Sequence, residues 1–199
     1  GAGVALKLAQ ALLPQEDHSF DLALAAVATV ADVVPLLGEN RAIVAQGLPH
    51  VMKNIGLRAL LTVAGWNDGQ PVSEQTAAFL LAPRLNASGR MGDAMRGVEL
   101  LLSRDESTAN ALARSLDADN LARREAEAGI AEQAMEQVDL SQKALLACHA
   151  GWNPGVTGIV ASRLCEAYHR PAILFTDEDG VLTGSGRCPE QIDLYAELS

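Results

Sequence analysis

Aromatic side chains and cysteines are scarce in this 199-residue sequence. Phe, Trp and Tyr make up 4% of it, so Ala, Leu and Val must build the core, and that composition favours helices. The three cysteines, Cys148, Cys165 and Cys188, form no C-x-x-C pair and are odd in number. A disulfide framework or a zinc site is therefore not expected.

Long apolar runs are also missing. None reaches the roughly 18–20 residues that a membrane-spanning helix needs, and the nearest, from Leu22 to Leu37, is interrupted by Asp32 and Pro35. The first residues lack the basic start and the cleavage site of a signal peptide. We therefore expect a cytoplasmic protein that has no membrane partner.

Basic residues are in the minority, since 15 Lys and Arg are set against 25 Asp and Glu for a net charge of −10. Proteins that coat nucleic acid are usually basic, so general nucleic-acid coating is disfavoured. A local basic groove is still compatible with this balance. The apolar share of 49% and the charged share of 20% are ordinary for a globular protein.

The order of periodic segments predicts an α/β protein in three parts. Residues 1–104 are predicted to form short apolar helices that are separated by turns. Residues 105–140 contain one long helix, about Asp105 to Val138, which starts at a capping box and would connect two domains. The alternative is a long surface helix on one domain. Residues 141–199 change to the strand–helix–strand–strand order that is typical of a small α/β unit.

Asp32 is the first residue that suggests chemistry, because it ends an almost wholly apolar run with Pro35 just beyond. A carboxylate in such a place is costly to bury unless it is paired, hydrogen-bonded or bound to a cation. One interpretation is a metal ligand. The other is a turn aspartate, since Asx-turns are common before proline.

The segment Pro83–Met91 opens a locally positive stretch. Arg84 and Arg90 flank a predicted turn that contains Asn86, and the stretch from Arg84 to Arg104 holds four basic and two acidic residues. Arginine suits bidentate recognition of phosphate, and glycine lets the backbone approach a ligand closely. The segment is either a phosphate-binding loop or a solvated loop with ion pairs.

Two further segments in the last part suggest anion binding. Gly184–Arg187 is predicted to be a turn after a strand, where a hydroxyl and a guanidinium would reach a phosphate, although Gly-Ser-Gly turns are common. Trp152–Gly158 opens a helix after a strand, which suits an anion at a helix N-terminus. Its glycines alternatively allow tight packing only. His149 ends the preceding strand and is the one histidine of interest; a surface or core role is the alternative.

Together these segments resemble the RecJ-type single-stranded-DNA exonucleases of the DHH phosphoesterase family along essentially the whole chain. The strongest evidence is the sequence Ala-Thr-Val-Ala-Asp-Val-Val-Pro-Leu at Ala28–Leu36, with Pro83–Met91 downstream of it. The order and spacing of several independent motifs make the resemblance specific. The other matching stretches are Gly1–Leu8, Gly155–Arg163, Arg170–Ile173 and Gly184–Arg187.

The resemblance implies three truncated pieces. Residues 1–104 would be the mainly helical C-terminal part of a DHH catalytic domain, and residues 105–140 the long connecting helix. Residues 141–199 would be the start of a small α/β DHH-associated domain that binds substrate. The family's His-x-Asp-x-Asp and Asp-His-His segments would lie before Gly1, and a glycine-rich segment would follow Ser199.

The resemblance also implies roles for residues of the first part. Asp32 would match the family's last metal-ligand aspartate and would be catalytic. Arg84, Asn86 and Arg90 would match its substrate-phosphate motif, with Arg84 also catalytic. The family uses two divalent ions, Mn²⁺ or Mg²⁺, to activate a water for attack on a phosphodiester and to stabilise the leaving oxygen. One carboxylate cannot hold two ions, so we expect no nuclease activity from these residues alone.

In the last part, Ser185 and Arg187 would match the strand-binding motif of the DHH-associated domain. His149 and Trp152 fall in that domain's other recognisable segment and would also contact DNA. The implied substrate is single-stranded DNA, degraded 5′ to 3′ during repair and recombination as it threads between the two domains. A single-strand-binding protein or a repair helicase would be the protein partners.

Two other functions stay open at this point. The first is a DHH phosphodiesterase that acts on short oligonucleotides or cyclic dinucleotides. The second is a catalytically inactive relative that serves as a replication scaffold, although an inactive site has no need of Asp32.

Overall fold

The computed structural model describes residues 1–67 and 69–199, and it has the expected α/β class with helices in the majority. The chain forms two compact units, Gly1–Asn120 (unit 1) and Leu121–Ser199 (unit 2). No helix in the described residues is both long and apolar enough to cross a membrane. The predicted division at residues 104 and 140 stays a prediction, since compactness alone does not define a catalytic or a binding domain.

The described residues of unit 1 form helices and the segments that connect them, and its longest helix, α8, continues into unit 2. The α-helices are α1 Ala2–Leu12, α2 Ser19–Ala31, α3 Gly38–Gly47, α4 Ile55–Val63, α5 Glu74–Thr76, α6 Ala82–Met91, α7 Met95–Leu102 and α8 Glu106–Gln137. A 3-10 helix covers Leu48–Lys53, and a π-helical turn covers Ala77–Leu81 and joins α5 to α6.

The core of unit 1 is built where α4 meets α7. Leu57, Leu60 and Leu61 of α4 are completely buried. Gly56 allows the two helices to touch, because a Cβ at this position would lie only 2.0 Å from the carbonyl oxygen of Leu100. The buried Asn54 accepts a hydrogen bond from the backbone N–H of Leu57 as the N-cap of α4 and donates one to the carbonyl of Leu101. These contacts hold α7 against α4.

Unit 2 contains the second part of α8 and a three-stranded sheet. Its elements are β1 Leu145–Cys148, α9 Pro154–Tyr168, β2 Ala172–Glu178, β3 Val181–Arg187 and α10 Leu194–Leu198. The strand order is β1-β2-β3, with β1 parallel and β3 antiparallel to β2. Asp179 and Gly180 link β2 to β3 with positive φ angles of 53° and 82°, the backbone that a two-residue hairpin turn requires.

Pro83–Met91 is not the predicted loop, because these residues form most of helix α6. Pro83 lies in its first turn, where the missing N–H of proline is tolerated. Gly89 lies inside the helix and is not required there for close packing, because a Cβ at this position would meet Ala94 at an ordinary contact distance of 3.6 Å. Glycine is only weakly unfavourable in a helix, so its presence did not require a turn.

Gly184–Arg187 is likewise not a turn, because all four residues belong to β3. Gly184 pairs with Phe175, and Gly186 pairs with Ile173. A Cβ at Gly184 would lie 2.6 Å from the Phe175 ring, and one at Gly186 would lie 2.7 Å from Leu194. These glycines leave room for neighbouring side chains to pack against β3, which explains why glycine occurs inside a strand rather than in a turn.

Candidate functional site

A cavity of about 1040 Å³ in unit 1 brings together three of the predicted site residues, Asp32, Asn86 and Arg90. Helices α1 and α2 supply most of its wall, largely with small apolar side chains, and α6 supplies Leu85, Asn86 and Arg90. Asp21 also lines the cavity. A carboxylate, an amide and a guanidinium therefore share one concave surface, which suits recognition of a polar, charged ligand.

Asp32 is the C-cap of α2, and its backbone N–H donates to the carbonyl of Ala28. Its side chain is exposed. The C-terminal end of a helix carries a partial negative charge, so a carboxylate placed there creates a local preference for cations. The next residue, Val33, has a positive φ of 54°, which is strained for a β-branched side chain. The backbone therefore turns sharply away directly after the carboxylate.

Asn86 and Arg90 are exposed on α6, whereas Arg84 points elsewhere. The Nε of Arg84 donates to Oδ1 of Asp117 at 2.7 Å, and its Nη1 donates to the carbonyl of Leu80 at 2.9 Å. Only 14% of the Arg84 side chain is exposed. The structure thus groups Asn86 and Arg90 with Asp32 and places Arg84 in an ion pair with α8.

Unit 2 brings a second group of predicted residues together, at the first turn of α9. Asn153 caps this helix by accepting a hydrogen bond from the N–H of Gly155 at 2.8 Å. Ser185 of β3 faces the same turn, since Thr157 donates to it. Arg187 lies there too, because a Cβ on Gly158 would be 3.2 Å from its Nη2. Hydroxyl and guanidinium donors therefore surround a helix N-terminus, where anions are favoured.

His149 and Trp152 form a stacked pair, with 5.9 Å between ring centroids and 28° between planes. The Nδ1 of His149 accepts from the N–H of Gly151 at 2.9 Å, so the neutral ring carries its proton on Nε2. His149 is exposed, whereas Trp152 is buried and donates from Nε1 to Gln133 at 2.6 Å. Trp152 is thus positioned to support the imidazole rather than to meet solvent.

The acidic partners of the arginines were missed by sequence reasoning. Asp117 and Asp119 lie in α8, the long helix for which the sequence suggested only a connector between two domains or a surface helix. In the structure Asp117 pairs with Arg84, and Asp119 pairs with Arg96 at 2.7 Å. No local signal links residues that are 33 positions apart, so only the tertiary fold reveals the pairing.

A complete metal centre is not found among the described residues, since no three His, Cys, Asp or Glu side chains there are grouped to hold an ion. Asp32 has the donor chemistry of one ligand for Mg²⁺ or Mn²⁺, because both ions favour carboxylate oxygen. It does not make a site by itself.

No protein-family model matches this chain, but curated proteins do. It is 42% identical over 207 residues to the single-stranded-DNA-specific exonuclease RecJ of Bacillus subtilis, covering 100% of this chain and 26% of that protein. It is 44% identical to RecJ of Escherichia coli K12 over 177 residues, covering 83% of this chain and 30% of the relative. The chain therefore spans about a quarter to a third of the curated relatives it matches.

Solved structures give the same result. The crystal structure of RecJ in complex with Mg²⁺ from Thermus thermophilus superposes with a TM-score of 0.85 at 34% identity, covering 95% of this chain and 30% of that one. A crystal structure of exonuclease RecJ bound to manganese gives a TM-score of 0.83 at 34% identity, covering 95% and 48% of the two chains.

Proposed function

Because the chain belongs to the RecJ family of exonucleases, we propose that it forms part of an enzyme that hydrolyses the phosphodiester bonds of single-stranded DNA. The reaction would depend on divalent metal and run 5′ to 3′, in DNA repair and recombination. The observation that carries the proposal is the shared cavity of Asp32, Asn86 and Arg90. It supports the proposal because a cation ligand and phosphate donors must meet wherever metal-assisted hydrolysis of DNA occurs.

In this proposal Asp32 is one ligand of a two-ion site for Mn²⁺ or Mg²⁺. The ions would supply activation of the attacking water and stabilisation of the leaving oxygen. The remaining ligands are expected outside these 199 residues. Asn86 and Arg90 hold the phosphate beside the carboxylate, and the amide N–H₂ and guanidinium donate to its oxygens. Arg84 is the third phosphate-binding residue that we propose.

Unit 2 is proposed to bind the backbone of the same substrate. Ser185 and Arg187 donate to a phosphate at the first turn of α9, where the positive end of the helix dipole adds to the attraction. His149 presents its Nε2 side to solvent and is proposed as a further contact. The buried Trp152 is proposed to act by keeping the imidazole in place.

A chimeric enzyme tests this function most directly. The 199 residues would replace the aligned region of the Bacillus subtilis relative, and release of nucleotides from 5′-labelled single-stranded DNA would be followed at increasing Mn²⁺. We expect an active chimera whose rate falls by at least about 100-fold in Asp32→Ala, because loss of a metal ligand removes charge stabilisation in the transition state.

Glu99→Gln is the matched control, since Glu99 is an exposed carboxylate of the same unit. Unchanged activity and Mn²⁺ dependence in Asp32→Ala would refute the role of Asp32. Faster cleavage of dinucleotides or cyclic dinucleotides than of long strands would favour a short-oligonucleotide phosphodiesterase. Binding of DNA with no hydrolysis by the chimera would favour a non-catalytic scaffold.

Two finer statements accompany this proposal. We propose a cytoplasmic location, where the chromosome of a bacterial relative lies. We also propose a single-strand-binding protein or a repair helicase as the partner that supplies unwound DNA. Co-purification of the chimera with either protein would test the association. An association that persists after nuclease treatment is direct, whereas one that is lost is bridged by DNA.

A further inference from the structure

Two arginines of α6 and α7 are held by side chains from the first half of α8. Arg84 donates from Nε to Asp117 and from Nη1 to the carbonyl of Leu80. Arg96 donates from Nη1 to the hydroxyl of Ser115 at 2.6 Å and pairs with Asp119. The polar middle of α8 is therefore a set of acceptors that meet specific guanidinium groups.

The Arg84 contacts use two of the N–H groups of the guanidinium, on Nε and Nη1, and none on Nη2. An arginine has five N–H groups, and the bonds to Asp117 and Leu80 occupy the one on Nε and one on Nη1. The other three belong to Nη1 and Nη2, and they meet no acceptor among the described residues. The two N–H groups of Nη2 can donate to the oxygens of a phosphate.

We propose that Asp117 is a positioning residue, which holds Arg84 so that its Nη2 group binds a phosphate of single-stranded DNA. The inference rests on the proposed function. Arginine has several rotatable bonds, and immobilising such a side chain on binding costs affinity. Asp117 fixes Nε before the strand arrives, and the surrounding protein leaves only 14% of the side chain exposed. The cost of ordering Arg84 is therefore met on folding.

The Asp117 carboxylate also has an effect that weakens DNA binding, because its negative charge lowers the attraction of this surface for a polyanion. If Asp117 only neutralised Arg84, its removal would strengthen DNA binding. If it positions Arg84, its removal weakens binding despite the loss of a negative charge. The sign of the change therefore separates the two roles.

Two variants of Asp117 make this test charge-matched. Asp117→Ala removes the charge and the acceptor, whereas Asp117→Asn removes the same charge but keeps an oxygen that accepts from the Arg84 Nε. The 199-residue chain would bind a fluorescein-labelled oligo-dT of about 20 nucleotides, and anisotropy would give the dissociation constant across a KCl series. Arg84→Ala measures the full contribution of the guanidinium, and the thermal midpoint of each variant reports its folding.

We expect Arg84→Ala to weaken binding and to reduce the log–log salt slope by about 0.7, the value for one phosphate of a single strand. Asp117→Ala weakens binding by about two- to tenfold, which is the effect of ordering one flexible side chain. Asp117→Asn recovers most of this loss. Glu99→Gln removes a negative charge from an exposed residue of α7 and leaves binding unchanged or slightly stronger.

A spectroscopic readout follows the proposed contact itself. The ¹⁵N resonance of the Arg84 Nε–H, assigned by its loss in Arg84→Lys, should be protected from exchange with water in the wild-type chain. It should lose this protection in Asp117→Ala and keep it in Asp117→Asn.

The outcomes distinguish the inference from the function. If Asp117→Ala binds as tightly as Glu99→Gln, or more tightly, while Arg84→Ala is weakened, positioning is overturned and the proposed function stands. If Arg84→Ala binds like wild type, the inference also fails, and DNA binding must rely on other contacts. If the wild-type chain binds no single-stranded DNA even at about 20 mM salt, where phosphate contacts are strongest, the inference fails, and the proposed function is decided by the chimera.

Discussion

Thr157 of α9 donates a hydrogen bond to Ser185 of β3, with 3.3 Å between their hydroxyl oxygens. The bond joins the first turn of a helix to the strand that carries Arg187. The Thr157 hydroxyl also donates to the carbonyl of Pro154 at 3.0 Å, so the contact ties Ser185 to the first turn of α9. Strand β3 and the first turn of α9 therefore meet at one site.

Arg187→Ala should weaken binding of single-stranded DNA by the chain and lower the salt slope by about 0.7, because one phosphate contact is lost. Anisotropy titrations across a KCl series measure both quantities. Lys143→Ala is the matched control, since it removes one positive charge from an exposed residue of unit 2 outside the α9–β3 contact. A salt slope identical to that of wild type would exclude Arg187 as a phosphate contact.

Gly158→Ala should reduce DNA affinity while changing stability little. The new Cβ would lie 3.2 Å from Nη2 of Arg187 and 3.5 Å from Ser185, so the flexible guanidinium must move away from the helix terminus. Gly129→Ala in α8 is the control, because nothing lies within 4 Å of its Cβ. There we expect a gain of about 0.5–1 kcal/mol in the free energy of unfolding and unaltered affinity. Equal affinities for the two variants would contradict the prediction.

Glu127→Ala should destabilise unit 2 by about 3 kcal/mol, the cost of breaking a buried ion pair from one side. The Glu127 carboxylate is 4% exposed and accepts from Nη1 of Arg123 at 2.6 Å and from Nε of Arg163 at 2.9 Å. Arg163 is 64% exposed, so Arg163→Ala should cost less than about 1 kcal/mol. Urea unfolding of both variants measures the difference, and similar losses would show that burial is not the deciding factor.

His18 should make the stability of unit 1 depend on pH. Its Nδ1 lies 2.8 Å from the Asp21 carboxylate, and this hydrogen bond, followed by one from Nε2 to the carbonyl of Leu13, raises the pKa of His18 above its ordinary value. The folded state then binds the proton more tightly than the unfolded state does. The added stability is complete below the unfolded-state pKa of about 6.5 and is lost as pH rises through the folded-state pKa.

Thermal midpoints between about pH 5 and 9 for wild type and His18→Gln isolate this effect from the other histidines. The difference between the two proteins should be largest at low pH and should shrink as pH rises. A difference that is constant across this range would mean that the protonated ring contributes nothing to stability.

Element order was largely predictable from the sequence because helix and strand periodicity are local properties. The helix predicted from Asp105 to Val138 is observed as Glu106–Gln137. The strand–helix–strand–strand order predicted for residues 141–199 is observed as β1, α9, β2 and β3.

Glycine caused the two larger errors. In both Pro83–Met91 and Gly184–Arg187 it was interpreted as a turn signal, since turns and close approaches need the same residue. Whether a glycine forms a turn or permits a close approach depends on what packs beside it. The Phe175 ring beside Gly184 is a tertiary neighbour that the local sequence does not indicate.

The sequence alone determined the family, the α/β class and the list of candidate residues, because motif order and periodicity are written along the chain. Only the tertiary structure decided which candidates meet. It grouped Asp32 with Asn86 and Arg90 in one cavity. It also paired Arg84 with Asp117, which lies 33 positions away in the sequence. The physical reason is that an ion pair depends on distance in space, which packing of α6 against α8 sets and which no local pattern specifies.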